Sequence, residues 1–514
     1  MSEAAAGSEA APHSVSLSLV SHTNAGKTTL ARTLLRRDVG EVRDAPHVTE
    51  FADVHTLVEA SDGARLCLWD TPGFGDSVRL VKRLRGAERP IVRFLSEAWD
   101  RWRDRPFWAS QQAVRNLQDE ADAMLYLVDA SQSPEAAAYV APEMELLGWI
   151  GKPVIVLLNQ LGAPHAGAAD DDEARWRRAL ERFAIVRAVL PLDAFARCWV
   201  QELTLLAAVE AALPAAQRQL MQRLRAAWRE RSNATFLAAM RSLAESIART
   251  ALATEALPEG GDLRARIRDA GAALGIGKAD STPAARAQRA LAARLDAEAR
   301  ANTLELIGLH GLGGSAERDI LERIATAFEM RLRLDETQAA VWGGAVTGAL
   351  VGLKADVLSG GLTLGGGLLT GGILGALGSA GVARAVNLVR GTDRSLVAWK
   401  AETLDALVEA ALLRYLAVAH FGRGRGDWAQ GEAPARWKEA VVAALAPYRE
   451  ALAAAWAERP PGGDDDATAL AALAGRIEPV VRDAAWSALR ALYPDADMAP
   501  EPPENAQAAI RKTQ

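Results

Sequence analysis

The stretch that most constrains this 514-residue chain lies near its start, in Val15-Ser16-Leu17-Ser18-Leu19-Val20-Ser21-His22-Thr23-Asn24-Ala25-Gly26-Lys27-Thr28-Thr29-Leu30. Val15, Leu17 and Leu19 alternate with serines, the two-residue period of a strand. Ser21 to Thr28 then follow the spacing G-x-x-x-x-G-K-[ST], with Ser21 where the first glycine is expected. The residue types suit an anion. Gly26 lets the backbone come close, so N–H groups of the loop, among Ser21, Asn24, Ala25, Gly26, Lys27, Thr28 and Thr29, can converge on polyphosphate oxygens. Lys27 adds a cation, and the Thr28 hydroxyl suits Mg²⁺. A helix beginning here turns its positive end toward the same anion.

A second signal follows one hairpin later. Thr56-Leu57-Val58 and Arg65-Leu66-Cys67-Leu68-Trp69 read as strands about the turn Ser61-Asp62-Gly63. The second strand runs into Asp70-Thr71-Pro72-Gly73. An acid at a strand end beside a phosphate loop can hold Mg²⁺ through water, and Gly73 can offer its N–H to a terminal phosphate. Between the two signals, 40–49 reads as an exposed loop ending in Thr49.

These motifs resemble those of P-loop GTPases of the translation-factor-related class, nearest the bacterial Era and TrmE type. The resemblance implies an α/β domain, a mostly parallel sheet with helices on both faces. It implies GTP or GDP with Mg²⁺ as ligands, and slow GTP hydrolysis as the activity. Thr28, Thr49 and Asp70 become the expected metal-side residues, and Lys27, Thr49 and Gly73 the expected phosphate stabilisers. More narrowly, Leu19 to Leu30 and the glycine-rich later half resemble a bacterial family of GTPases with a C-terminal domain of unknown function.

Two positions depart from the pattern. The base-reading box N-K-x-D falls on Asn159-Gln160-Leu161-Gly162, after the apolar strand Val154 to Leu158. Asn159 matches, Gln160 replaces the lysine, and Gly162 replaces the aspartate that would accept two hydrogen bonds from guanine. Loss of a polar partner for a substrate N–H damages discrimination, so ATP stays open as an alternative nucleotide. Asp193, followed by Ala194 where a fifth box would fall, is a candidate replacement carboxylate. It could equally cap a helix beginning at Phe195. The other departure is Phe74, which follows Gly73 where a glutamine could orient water. No catalytic residue is therefore assigned by motif.

From Val78 to Asn116 the chain is basic and aromatic, with Arg79, Lys82, Arg83, Arg85, Arg89, Arg93, Arg101, Arg103 and Arg105 among Trp99, Trp102 and Trp108. It reads either as a nucleotide-sensitive contact surface or as a solvated amphipathic helix. Further buried strands are expected at 123–129 and 186–192, continuous apolar runs suited to a parallel sheet. The net charge of −6 argues against a general nucleic-acid binder, and no specific nucleic-acid module is seen. Two cysteines offer no disulfide framework or zinc spacing. Residues 1–13 carry no basic-then-apolar leader and read as a disordered N-terminus, which suggests a cytoplasmic protein.

The GTPase domain is expected over 14–213 and a mainly α-helical domain over 214–458. A linker at 459–466, terminal helices at 467–497 and a disordered tail at 498–514 follow. Within the helical part, 341–383 holds fourteen glycines between Gly343 and Gly381, and 357–383 carries no charge. Glycine costs about 1 kcal/mol per helical position relative to alanine. A row at four-residue spacing, such as Gly344, Gly348 and Gly352, therefore suggests close helix pairing, as in membranes. A membrane-associated hairpin and a tightly packed soluble pair both fit. A membrane or membrane protein reached through 341–383, and a second copy of the chain, are the partner classes that join guanine nucleotide. Localisation is then cytoplasmic, or peripheral or integral at the inner membrane. A scaffold that binds nucleotide with little turnover is the other functional class. If Asp193 reads guanine, Asp193→Ala abolishes the preference for GTP over ATP in a competition assay. Unchanged selectivity removes that role.

Overall fold

The computed structural model describes residues 13–22, 25–35, 53–97, 104–159, 168–192, 198–256, 283–312, 386–390, 395–420, 433–460 and 466–494, with 496 and 498. The chain divides into two compact units. One spans Met1–Asn233 with two short later segments, and the other takes most of the chain from Ala234 onward.

The first unit is built on a six-stranded sheet. Its strands are β1 (Ser14–Ser21), β2 (Asp53–Glu59), β3 (Arg65–Asp70), β4 (Ala123–Asp129), β5 (Val154–Asn159) and β6 (Val186–Pro191), in the order β2-β3-β1-β4-β5-β6. All neighbours run parallel except β2 and β3, which form an antiparallel hairpin at one edge. Gly63, at φ +80°, turns that hairpin in a conformation few other residues adopt. β5 is buried along its whole length and β4 up to its last residue, as befits strands covered on both faces.

Helices α1 (Lys27–Leu35), α2 (Ser77–Leu84), α3 (Pro90–Ser96), α4 (Arg105–Asp119), α5 (Val140–Ile150), α6 (Ala168–Leu180) and α7 (Trp199–Ala212) accompany the strands. Among the described residues, the basic stretch after β3 holds the helices α2, α3 and the start of α4. α2 buries Leu80, Val81 and Leu84 and is N-capped by Asp76, whose Oδ1 accepts from Arg79 N at 3.0 Å. Trp176, Phe94, Phe107 and Tyr126 fill the core between helices and sheet. α7 begins at Trp199 with Cys198 at its N-cap, and the expected cap Asp193 and helix start Phe195 lie outside the described residues. Cys198 N donates to Gln201 Oε1 at 3.0 Å, the reciprocal contact of a capping box.

α8 (Ala215–Leu252) follows α7. The second unit is mainly helical: Pro283–Leu309, Ala401–Ala419, Ala433–Leu445, Arg449–Ala457 and Ala467–Leu492 are helices. Phe236 meets the edges of Tyr415 and Trp486, with ring centroids 6.0 and 5.5 Å away. A small antiparallel sheet in the order β7-β9-β8, from Thr254–Ala256, Val386–Arg390 and Ser395–Trp399, was not anticipated. Residues 341–383 lie outside the described residues. Among the described residues, no helix is long and apolar enough to cross a membrane.

Trp176 is 1 % exposed at the centre of the first unit's core. Trp176→Ala is expected to lower the unfolding free energy by about 3–5 kcal/mol, read from urea denaturation of the full chain.

Candidate functional site

The topology chooses the place. The connection from β1 turns toward β3 and that from its other neighbour, β4, turns toward β5, so a crevice opens at their carboxyl ends. The loop after β1 lies at that crevice. The parallel register sets Leu19 opposite Asp70, which brings the end of β3 alongside the loop. Thr71 Oγ1 donates to Leu19 O and fastens the two strand ends together.

Lys27 is buried under the loop, and its Nζ donates to Ser21 Oγ at 2.9 Å. Ser21 therefore does what a glycine could not: its hydroxyl holds the lysine. Thr28 Oγ1 donates to Asp70 Oδ2 at 2.7 Å. Burial dominates both charges. It pulls the Lys27 ammonium below the usual lysine range, against the opposing pull of Asp70 and then Glu143. It pushes the Asp70 carboxyl up, against the Thr28 hydrogen bond and the Lys27 charge. Desolvation thus outweighs pairing on both partners.

The other end of the loop is set by Asn159, fully buried at the end of β5. Its Nδ2 donates to Ala25 O at 3.1 Å. Gly26 stands at φ +92°, and a Cβ there would lie 2.8 Å from Asn159 Nδ2. Both facts require glycine. Thr29 is buried on the first turn of α1, one of the residues that seat this helix on the sheet. Gly73 is buried beside Phe74, whose N–H donates to Ser21 O at 2.9 Å. The Phe74 side chain is fully buried in the core with Leu80 and Val81, so it has no access to a water over the loop.

The sequence-derived residues Ser21, Ala25, Gly26, Lys27, Thr28, Thr29, Asp70, Gly73 and Asn159 thus gather around one crevice. Asn24, Thr49, Gln160, Asp193 and Ala194 lie outside the described residues. Sequence reasoning missed Glu143. This carboxylate, 0 % exposed, accepts from Tyr126 O–H at 2.6 Å and contacts His22 Nδ1 at 2.8 Å. The one available signal was an acid inside the otherwise apolar segment Val140-Ala141-Pro142-Glu143-Met144.

The donor set fits a Mg²⁺ ion beside Thr28 and Asp70. Both offer hard oxygen ligands. Asp70 Oδ1 is buried with no donor among the described residues, an acceptor that metal-bound water would satisfy.

A family model described as "50S ribosome-binding GTPase" matches residues 16–160. A second, described as "Domain of unknown function (DUF3482)", matches residues 329–475. No curated protein matches. Among solved structures, Era in complex with MgGDPNP and a segment of 16S ribosomal RNA is similar at 18 % identity, over 39 % of this chain and 57 % of that one, with a TM-score of 0.30. A variant of Aquifex aeolicus Era bound to GDP and aluminium fluoride is similar at 20 % identity over the same shares, 39 % and 57 %, with a TM-score of 0.28. A member of an oligomerised bacterial dynamin pair is similar at 11 % identity over 97 % of this chain and 73 % of its own, with a TM-score of 0.23. The chain thus spans only 57 % of the length of the two Era structures. Similarities this distant say nothing of what the chain binds.

Gly26→Ala meets both the positive φ and the Asn159 amide. It is expected to lower stability by about 1–3 kcal/mol and to abolish binding of a fluorescent guanine nucleotide. Denaturant unfolding and fluorescence titration check the two effects separately.

Proposed function

We propose that the P-loop GTPase domain of this chain, joined to its mainly helical second region, works as a slow nucleotide switch. The single observation that carries this reading is the pre-formed set Lys27, Thr28 and Asp70, with its unsatisfied buried acceptor. In the bound state Lys27 would neutralise terminal phosphate oxygens. Thr28 would ligate Mg²⁺ directly, and Asp70 would hold it through water. The metal would supply charge neutralisation on the phosphates. The backbone N–H groups of the loop and of Gly73 would orient the terminal phosphate, and Thr49 would close on the metal when triphosphate is present. Phosphoryl transfer depends mainly on such positioning and charge.

Hydrolysis is slow on this reading, because the position after Gly73 holds an apolar side chain turned into the core. Basal turnover below roughly 1 per second, the lower end of ordinary enzymes, is expected. A partner, a second protomer or a potassium ion would supply the missing group. The nucleotide state would order the loops that end in Thr49 and begin at Gly73, and the helical region would respond. The chargeless run 357–383 supports membrane association as its output, with a soluble helical pair as the competing reading.

A second reading is a general NTPase, which Gln160 and Gly162 favour by leaving guanine without its two usual partners. A third is a scaffold with little turnover. Calorimetric titration with GTP, GDP and ATP in Mg²⁺, with Lys27→Ala as control, separates them. Micromolar guanine nucleotide binding, weak ATP binding and loss in the variant are expected. Equal ATP binding would replace the GTPase reading with the general one, and no binding would end both. Multiple-turnover hydrolysis that disappears in Thr28→Ala would remove the scaffold reading.

A further inference from the structure

Glu143 sits in the first turn of α5, wholly shielded from water. An isolated carboxylate at such a place would be very costly. Three features offset the burial. The Tyr126 hydroxyl donates to Oε2 at 2.6 Å. The N-terminal end of α5 favours negative charge. The Lys27 ammonium lies near enough to feel it. Tyr126 remains a donor, because burial and then the neighbouring Glu143 hold its hydroxyl well above the usual tyrosine range.

The remaining oxygen, Oε1, faces His22 Nδ1 at 2.8 Å. A carboxylate can only accept, so the proton in this contact belongs to His22 Nδ1. The ring is also stacked on Tyr139, the residue that precedes α5, at 4.5 Å and 22°. His22 is thus held in place by a charge-assisted hydrogen bond and by an aromatic face, both from one helix and its N-cap.

The position of His22 in the chain gives this anchoring its meaning. It follows Ser21, whose hydroxyl holds Lys27 and whose carbonyl accepts from Phe74 N–H. His22 itself forms a parallel bridge with Phe74, just past Gly73. At the other end, Asn159 holds Ala25 O. The start of the loop is therefore fastened to α5 and to the segment after β3, and its end to β5.

We propose that His22, through its Nδ1–H bond to Glu143, is a positioning residue that pre-sets the start of the phosphate loop for nucleotide binding. It works through the backbone and through Ser21, not by touching the reacting atoms. The inference rests on the nucleotide-binding reading above. Pre-setting a loop raises affinity by lowering the ordering cost at binding.

Asparagine and glutamine separate this role from others. The amide nitrogen of Asn can take the place of Nδ1 and keep the bond to Glu143, whereas that of Gln takes the place of Nε2 and loses it. Both remove the imidazole stacked on Tyr139. The measurement is fluorescence titration of the full chain with methylanthraniloyl-GDP in Mg²⁺, with Lys27→Ala as control. His22→Gln is expected to weaken binding about tenfold, the scale of one buried charge-assisted hydrogen bond. His22→Asn is expected to stay near the wild type. Equal affinities for all three proteins, equal losses in both variants, or loss in His22→Asn alone would each overturn the proposal. A wild type that binds no better than Lys27→Ala would instead remove the nucleotide reading, and this inference with it. Where a variant fails to fold, imidazole nitrogen NMR of the wild type decides. A protonated, hydrogen-bonded Nδ1 supports the assignment, and a bare Nδ1 overturns it.

Discussion

A lysine and an aspartate buried together beneath a loop are the constraint on which this domain depends. Each loses more by leaving water than it gains from the other, as the opposite displacements of Lys27 and Asp70 record. The protein tolerates the arrangement because the surrounding strands pack tightly. Leu19, Leu66, Leu68 and Leu125 are all fully buried in the strands beside the first turn of α1, which carries Lys27, and the end of β3, which carries Asp70. Such a site places a cation and a carboxylate where an opposite charge beside each is favourable. An anion with a divalent cation supplies both missing signs. Affinity and fold are thus coupled: the stronger the core, the more unfavourable charge the site can hold ready.

The domain and most of its site were legible for a simple reason. Parallel strands covered on both faces need continuous apolar runs, and 123–129 and 154–159 show them plainly. Gly26, Lys27, Thr28 and Asp70 were legible because phosphate and metal chemistry narrows residue choice at fixed spacing. Glu143 was not, since its partners stand 121 and 17 residues away and no local pattern joins them. The three-stranded sheet of the second unit was missed for the same reason. Thr254–Ala256 is three residues long, and its partner strand is Ser395–Trp399. A cysteine and a glutamine cap α7, a pairing that no local sequence signal singles out.

The basic stretch after β3 is less available to a partner than its sequence suggests. Arg83 and Arg93 both reach Glu97, Arg79 lies 3.9 Å from Asp104, and Arg85 forms a two-point contact with Glu145. Exposed pairs of this kind add little stability, about 0–1 kcal/mol each. They do mask charge. α2 and α3 still present Val78 and Val92 to water, 57 % and 61 % exposed, among arginines already engaged by acids.

Asn159 has a role in the domain's interior that needs no ligand. Its amide spans the distance from β5 to the loop, against a glycine that leaves it just enough room. The residue serves the domain's interior whichever base is bound. Gln160 and Gly162, at the other matched positions of the box, are the ones that differ from it. Substituting Asn159 would therefore be a poor probe of base preference, since it would disturb the loop between β1 and α1 itself.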